Sequence, residues 1–268
     1  MKQLPSIFNL KYLPARLIVF VLYSISFLSL KNKMRLGKWL GGMAKNKLKS
    51  RAHIARKNLK ACFTEKTDEQ IEDMVEDCFV QLTTGFIEGT HAWWQDMSPH
   101  KASVKATGIE HLIEAQKKGN GVLLLGGHFA VVDFAIPLIA AQIDHLAYMY
   151  RPNNNPVIND MIEKGRARAG VSSFTKKQLK EMKSFMANGG VVWYGCDQDF
   201  GKKGEVFAPF FGVDAINITT PSWIVKETGA AVIFMGMRRL GEGEYEIEFS
   251  KELPEFGHCN RQDTLCWN

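Results

Sequence analysis

Apolar residues in the second half of the chain fall into short runs that alternate with amphipathic stretches. Four of these runs have the length of a buried strand, namely VLLLGG (122–127), HLAYMY (145–150), GGVVWYG (189–195) and AAVIFMG (230–236). Between and around them, apolar positions recur at helical spacing in residues 131–142, 156–168, 176–187 and 220–227. This alternation predicts an α/β fold with a mixed sheet flanked by helices, and residues 245–249 alternate as a candidate edge strand.

The N-terminal part has a different, helical pattern. Residues 17–30 form an uncharged apolar run between Arg16 and Lys31, and the run is shorter than the roughly twenty residues of a spanning helix. Lysine and arginine follow it, where a signal peptide would carry a cleavage site of small residues. We therefore expect a membrane anchor that lies in the interface or barely spans the bilayer. A buried core helix is the alternative.

A long amphipathic helix is predicted for residues 67–94. Thr67 and Gln70 have the spacing of a capping box at its start, and Trp93 and Trp94 close it. We expect these two tryptophans to belong to the core, although an interface or an acyl pocket would also use them. The chain thus divides into an N-terminal membrane-anchoring helical region, residues 1–100, and an α/β catalytic core, residues 101–268.

Charge narrows the range of partners. The 268-residue chain has a formal net charge of +6 and a pI of about 9.0, which suits an anionic membrane, a phosphorylated substrate or nucleic acid. Its most basic stretch, residues 45–60, has no interleaved aromatic residues for base stacking, which argues against nucleic acid. The five cysteines include no C-x-x-C, so neither a disulfide framework nor a zinc site of the usual spacing is expected.

His128 and Asp133 are the first candidates for catalysis. His128 directly follows a predicted strand, and Asp133 lies five positions later in GGHFAVVD. Residues five apart on a continuous helix point about 140° apart, so the two can meet only if His128 lies in the turn before the helix. An aspartate bonded to one imidazole nitrogen makes the other nitrogen a better base. We therefore predict His128 as a base oriented by Asp133; a solvent-exposed histidine beside a helix N-terminus is the alternative.

Arginine and aspartate side chains mark the ends of other predicted elements. Arg151 ends one strand and Arg166 ends a short helix, and guanidinium groups suit bidentate binding of phosphate. Asp197 and Asp199 follow another strand as a D-x-D pair, which can bind a metal or orient a substrate. Solvated arginines and a plain polar turn are the alternative interpretations.

Several common catalytic motifs are missing from the sequence. It contains no G-x-S-x-G, P-loop, G-x-G-x-x-G after a strand, or H-E-x-x-H, which disfavours serine hydrolases, nucleotide-binding folds and zincins. Cys196 is a poor candidate nucleophile, because the neighbouring carboxylate of Asp197 raises the pKa of its thiol.

The ordered segments together resemble the late (secondary) acyltransferases of lipid A biosynthesis, in particular the lauroyltransferase branch. That family is part of the lysophospholipid/glycerolphosphate acyltransferase superfamily. The matching segments are RKNLKACF, GGHFAVVD, YRPNNNP, GRARAG, VVWYGCDQDFG and FAPFFG. The resemblance implies a glycerolphosphate-acyltransferase-like core on the cytoplasmic face of a Gram-negative inner membrane. It also implies an acyl carrier protein thioester as donor, a Kdo-bearing bis-phosphorylated lipid A precursor as acceptor, and no metal or cofactor.

The resemblance also assigns roles to individual residues. His128 matches the catalytic histidine and Asp133 its acidic partner, whereas Arg166 and Asp197 match two further functional positions. Arg151 matches a third candidate for substrate binding.

Two departures from the family pattern stand out. Phe234 and Met237 occupy positions where relatives often carry proline. The chain also ends at Asn268, before the Tyr/Trp- and Arg-containing segment usual in relatives, so we expect a truncated C-terminus.

These features predict direct transfer of an acyl group to a lipid hydroxyl, with His128 as base. We expect Arg166, oriented by Asp197, to hold the anionic groups of the acceptor or to support the site. Glycerolipid acylation is the nearest alternative, and an assay with both acceptors would separate the two. A membrane-associated glycosyltransferase using the D-x-D pair would depend strictly on a divalent ion. A non-catalytic protein that binds anionic lipid would form no acyl product.

Overall fold

The computed structural model describes residues 9–140, 142–198, 205–254 and 256. Asp199 of the D-x-D pair and the C-terminal stretch with the predicted truncation lie outside these residues.

Four helices make up the first part of the described chain: α1 (Leu13–Ser26), α2 (Leu30–Lys47), α3 (Lys49–Cys62) and α4 (Asp68–Trp94). The capping box at the start of α4 is confirmed, because Thr67 and Gln70 each accept a hydrogen bond from the other's backbone N–H. Trp93 is buried, as predicted, whereas Trp94 is half-buried and packs against the same cluster.

The apolar run 17–30 is not one helix. It breaks after α1, because the Ser29 hydroxyl caps α2 by accepting a hydrogen bond from the Asn32 N–H at 3.3 Å. Within the described ranges, we find no helix with the length and apolar character needed to cross a membrane.

Strands and helices alternate in the second part. They are β1 (Val104–Thr107), α5 (Ile109–Lys117), β2 (Val122–Gly126), α6 (Val132–Ile139), β3 (Leu146–Tyr150), α7 (Pro156–Arg168), β4 (Ser172–Thr175), α8 (Leu179–Ala187), β5 (Val191–Gly195), β6 (Glu205–Phe210), β7 (Val213–Ile218), α9 (Thr220–Thr228), β8 (Ala231–Gly241) and β9 (Glu244–Phe249).

Seven of these strands form one sheet in the order β1-β9-β8-β2-β5-β3-β4. The strands from β8 to β4 are parallel to one another, whereas β9 is antiparallel to β8 and parallel to β1. The predicted α/β fold with a mixed sheet and an N-terminal helical region is thus confirmed. The prediction of β9 as an edge strand is wrong, because the short, half-polar β1 pairs along its outer side.

Two apolar layers cover the sheet. On one face, Leu124 and Trp193 pack with Phe134 of α6 and Ala92 of α4. On the other face the layer includes Leu123, Val192, Met182 of α8 and Ile224 of α9. Helix α4 therefore joins the N-terminal helices to the sheet face that carries α6.

Strands β6 and β7 form a separate antiparallel hairpin. Its turn residues Phe211 and Gly212 have φ of 52° and 74°, as a tight two-residue hairpin turn requires. Phe207 and Phe210 on this hairpin are exposed.

Candidate active site

The register between β2 and β5 determines which side chains meet at the end of the sheet. These parallel neighbours are aligned with Gly126 opposite Gly195. His128 and Asp197 each lie two residues beyond those paired glycines. Parallel strands end at the same edge of a sheet, so the register brings these two residues together.

His128 is held by Asp197 through two hydrogen bonds. Its imidazole Nδ1 lies 2.5 Å from Asp197 Oδ1, and its backbone N–H donates to Oδ2 of the same carboxylate at 2.8 Å. An ionised carboxylate only accepts hydrogen bonds, so in the neutral imidazole Nδ1 carries the proton and Nε2 has the lone pair. The side chain of His128 is 44% exposed, so a substrate can reach the imidazole.

The pKa of Asp197 lies below its ordinary value. Burial alone would raise the pKa, but the hydrogen bonds from the His128 side chain and backbone outweigh burial. The carboxylate therefore stays ionised beside the imidazole. Burial raises the pKa of the adjacent Cys196 thiol, and Asp197 raises it further, so the thiol stays protonated, as the sequence predicted.

The predicted pairing of His128 with Asp133 is wrong. Asp133 instead accepts hydrogen bonds from Arg166, at 2.9 Å from Nη2 and 3.2 Å from Nε, both to Oδ1. Asp133 is the second residue of α6, as expected, but it faces the last turn of α7. The sequence analysis paired His128 with Asp133 and associated Arg166 with Asp197; the partners are exchanged.

The Arg166–Asp133 pair is largely enclosed. The guanidinium carbon lies 4.1 Å from the ring centroid of buried Tyr148 and 5.7 Å from that of Tyr150, a cation–π arrangement. Burial lowers the pKa of Arg166, but the charge and hydrogen bond of Asp133, together with Tyr148 and Glu163, outweigh burial, so the net shift is upward. The side chain of Arg166 is 14% exposed, which leaves it little surface for a ligand.

Arg151 is the one candidate that the structure leaves apart from the others. It follows β3 directly and is exposed, and no hydrogen bond or ion pair joins it to the other four candidate residues.

The sequence analysis missed two residues that shape the His128 site. Trp193 of β5 packs its ring edge-on against the imidazole, with the centroids 5.8 Å apart. A Cβ on Gly195 would lie only 2.6 Å from His128 Cε1, so the imidazole occupies space that only glycine leaves open. The signal was present in the sequence, since both neighbouring strands end in glycine.

Among the side chains that the structure describes, no three histidine, cysteine, aspartate or glutamate groups are arranged to hold a metal ion. Asp197, the described half of the D-x-D pair, is engaged by His128.

Comparisons with known proteins point to one family of enzymes. A family model for the bacterial lipid A biosynthesis acyltransferases matches residues 1–259. The chain is 34% identical over 212 residues to the lipid A biosynthesis lauroyltransferase of Escherichia coli (strain K12), covering 78% of this chain and 69% of the relative. It is 32% identical over 235 residues to the palmitoleoyltransferase of the same organism, covering 87% and 76%. Its identity to the E. coli myristoyltransferase is 24% over 200 residues, covering 74% and 61%.

Proposed function

The chain belongs to the bacterial lipid A biosynthesis acyltransferase family, and from this premise we propose that His128, oriented by Asp197, is the general base of its acyl transfer. The family membership makes the protein an acyltransferase of lipid A biosynthesis. It decides against glycerolipid acylation, glycosyl transfer and a purely lipid-binding role. The observation that supports the base assignment is the Nδ1 contact to Asp197, which leaves Nε2 as the basic nitrogen.

The reaction of this family needs an acyl donor and a lipid A precursor as acceptor. We propose an acyl carrier protein thioester as the donor and a hydroxyl of a Kdo-linked, phosphorylated lipid A precursor as the acceptor. The transferred chain is lauroyl or similar in length, by analogy with relatives named lauroyltransferase and palmitoleoyltransferase. The cytoplasmic face of the inner membrane is the place where these two substrates would meet.

The proposed reaction is a single displacement. Nε2 of His128 takes the proton of the acceptor hydroxyl as that oxygen attacks the thioester carbonyl, so that a C–O bond forms and the C–S bond breaks. The departing thiolate takes the proton back from the imidazolium, which restores the base. Asp197 stabilises the imidazolium and keeps the reactive tautomer. No covalent acyl-enzyme intermediate is needed.

The other candidates have supporting roles in this proposal. The enclosed ion pair of Arg166 and Asp133 fixes the start of α6, and hence the turn that carries His128. Exposed Arg151, at the same edge of the sheet, is available to bind an acceptor phosphate.

Replacing Asp197 by asparagine tests the base assignment. The carboxylate accepts two N–H groups at once, and an amide can accept only one of them. In one orientation, the asparagine oxygen accepts from His128 Nδ1, and the asparagine NH₂ then faces the His128 backbone N–H, a second donor. In the flipped orientation, the asparagine NH₂ donates to Nδ1, so the imidazole proton moves to Nε2. Either arrangement impairs the base, so we expect kcat to fall by about 10²–10⁴-fold.

The measurement is acyl transfer from purified acyl carrier protein thioester, with His128→Ala as the reference for complete loss. Asp73→Asn, the same change at an exposed position on α4, is the matched control and should leave turnover intact. Near-normal turnover in Asp197→Asn or in His128→Ala would refute the proposed base.

A further inference from the structure

Helix α4 presents two large apolar side chains to solvent next to the catalytic turn. Leu82 and Phe86 are one helical turn apart and are 58% and 50% exposed. Between Thr84 and Trp93, Phe86 is the one exposed residue on an otherwise buried or half-buried stretch of helix. Isolated exposed apolar residues are ordinary, but two stacked apolar side chains beside a reaction site offer a surface to an apolar ligand. We refer to Leu82 and Phe86 as the α4 ledge.

Two close contacts place the ledge beside the site. A Cβ added to Gly85 would lie 1.9 Å from the carbonyl oxygen of Ala130, so α4 touches the turn two residues after His128. A Cβ added to Gly89 would lie 3.5 Å from the Cβ of Asp133. Phe86 stands between these two glycines in the sequence, within one helical turn of both contacts.

A row of aromatic rings connects the ledge to the apolar surface of α1. The ring of Phe86 lies 5.6 Å from that of Trp93, which lies 6.0 Å from that of Trp94. The row continues from Trp94 to Tyr23 at 5.7 Å and from Tyr23 to Phe27 at 5.0 Å, and both of these α1-side residues are exposed. The ledge is therefore one end of an apolar path of ring contacts, through buried Trp93, that starts on the surface proposed to face the membrane.

We infer that the α4 ledge binds a fatty acyl chain of the acceptor lipid and thereby presents the acceptor hydroxyl to His128. The direction of the aromatic row favours the acceptor over the donor, because a lipid acceptor resides in the bilayer whereas the donor chain arrives on a carrier protein. This inference rests on the proposed function, since it takes His128 as the reaction centre.

The test is the double substitution Leu82→Ala with Phe86→Ala in the full chain. We expect the KM for a long-chain lipid acceptor to rise about tenfold or more, with the KM for the acyl carrier protein thioester unchanged. Wild-type enzyme should also prefer a long-chain acceptor over one with shortened chains, and the double variant should lose most of that preference. Trp223→Ala, which removes a half-exposed aromatic ring from α9 on the opposite face of the sheet, should alter neither KM.

The single variant Leu82→Gln separates loss of lipid binding from a folding defect. Leu82 is more than half exposed and is not part of the aromatic row, so its replacement should not disturb packing. It should raise the acceptor KM in the same direction. An unchanged acceptor KM in both variants, or a rise confined to the donor KM, would overturn the inference. Failure of the proposed base is seen separately, as retained turnover in Asp197→Asn.

Discussion

Gly195 determines how the imidazole of His128 lies against β5. A methyl group there would be 2.6 Å from Cε1 and 3.0 Å from Nδ1 of the ring, so the ring must move, and its bond to Asp197 must lengthen. We expect Gly195→Ala to lower kcat by about 10²-fold, the usual effect of an ångström-scale misplacement. Stability should change little, since Gly195 is the last residue of β5 and the imidazole that must move is partly exposed.

The matched control for that substitution is Gly236→Ala in β8. A Cβ there has its nearest neighbour, Phe234, at 3.9 Å, an ordinary contact. Turnover and thermal unfolding of both variants would be compared. Equal, near-normal kcat values would show that the imidazole does not depend on the space at Gly195.

The sequence identified His128, Asp133, Arg166 and Asp197 as candidates but paired them wrongly. Their nature could be predicted, because polar residues after buried strands are recognisable in a single sequence. Their partners depend on the order and register of the strands, which are long-range properties. His128 meets Asp197 because β2 and β5 are neighbours aligned at glycine, although the two residues are far apart in the sequence.

Among the elements, helix α4 packs against the turn that carries His128 and holds it in place. Arg239 of β8 forms a buried ion pair with Glu88 of α4, with Nη2 at 2.5 Å and Nε at 3.1 Å from the carboxylate oxygens. This pair holds the helix to the sheet. A side chain at Gly85, one turn earlier, would therefore displace Ala130 and the turn rather than the helix.

Gly85→Ala tests this rigidity. Alanine raises helix propensity by about 1 kcal/mol, but the backbone clash with Ala130 costs about 1–3 kcal/mol, so a small net loss of stability is expected. Turnover measured well below the unfolding midpoint should fall by about tenfold or more, because the turn carrying His128 moves.

The equivalent change at Gly42 in α2 serves as its control, since a Cβ there meets nothing within 4 Å. Gly42→Ala should keep full turnover and the same or a higher unfolding temperature. If Gly85→Ala behaves like Gly42→Ala, α4 does not position the turn.

Long apolar or strongly periodic elements were predictable, whereas short or weakly apolar ones were not. The sequence analysis placed β2, β3, β5 and α4 close to their observed bounds. It missed β1 and β4, four residues each, because VKAT and SSFT have too few apolar positions to stand out. The β6–β7 hairpin was also missed, since its turn uses Phe211-Gly212 rather than a usual Asn-Gly or Asp-Gly pair.

For the molecule as a whole, α1 is a surface helix tied firmly to the body. Buried Lys33 donates from Nζ to the carbonyl oxygens of Ser26 at 2.7 Å and Leu28 at 2.8 Å, which satisfies the end of α1. Its Nζ also lies 3.0 Å from His91 Nδ1 of α4. Burial lowers the pKa of Lys33 to about 8, with Glu88 opposing the shift. This attachment fits a helix that lies along a membrane better than one that leaves the body to cross it.

The outward side of α1 is strongly apolar. Only Ala15, Leu22 and Ser26 of the helix are buried, whereas Leu17 and Phe20 are 62% and 64% exposed. On α2, Arg35 and Lys38 are exposed as well, and cations of this kind interact with anionic headgroups. We therefore propose that α1 lies in the membrane interface with its apolar side inserted.

A single charge in that surface tests the proposal. Phe20→Glu removes a buried aromatic contact with the bilayer, worth about 1.5–3 kcal/mol, and adds a repulsive charge, so affinity for anionic phospholipid vesicles should fall at least about tenfold. The unfolding temperature should be unchanged, because Phe20 is exposed in the folded protein.

Trp223→Glu on α9 provides the control, since it puts the same charge on a half-exposed aromatic position on the opposite face of the sheet. Raising the salt concentration should weaken vesicle binding of the wild-type protein as headgroup attraction is screened. If Phe20→Glu and Trp223→Glu bind vesicles equally well, α1 is not the membrane contact, and the apolar path from α1 to the α4 ledge loses its starting point.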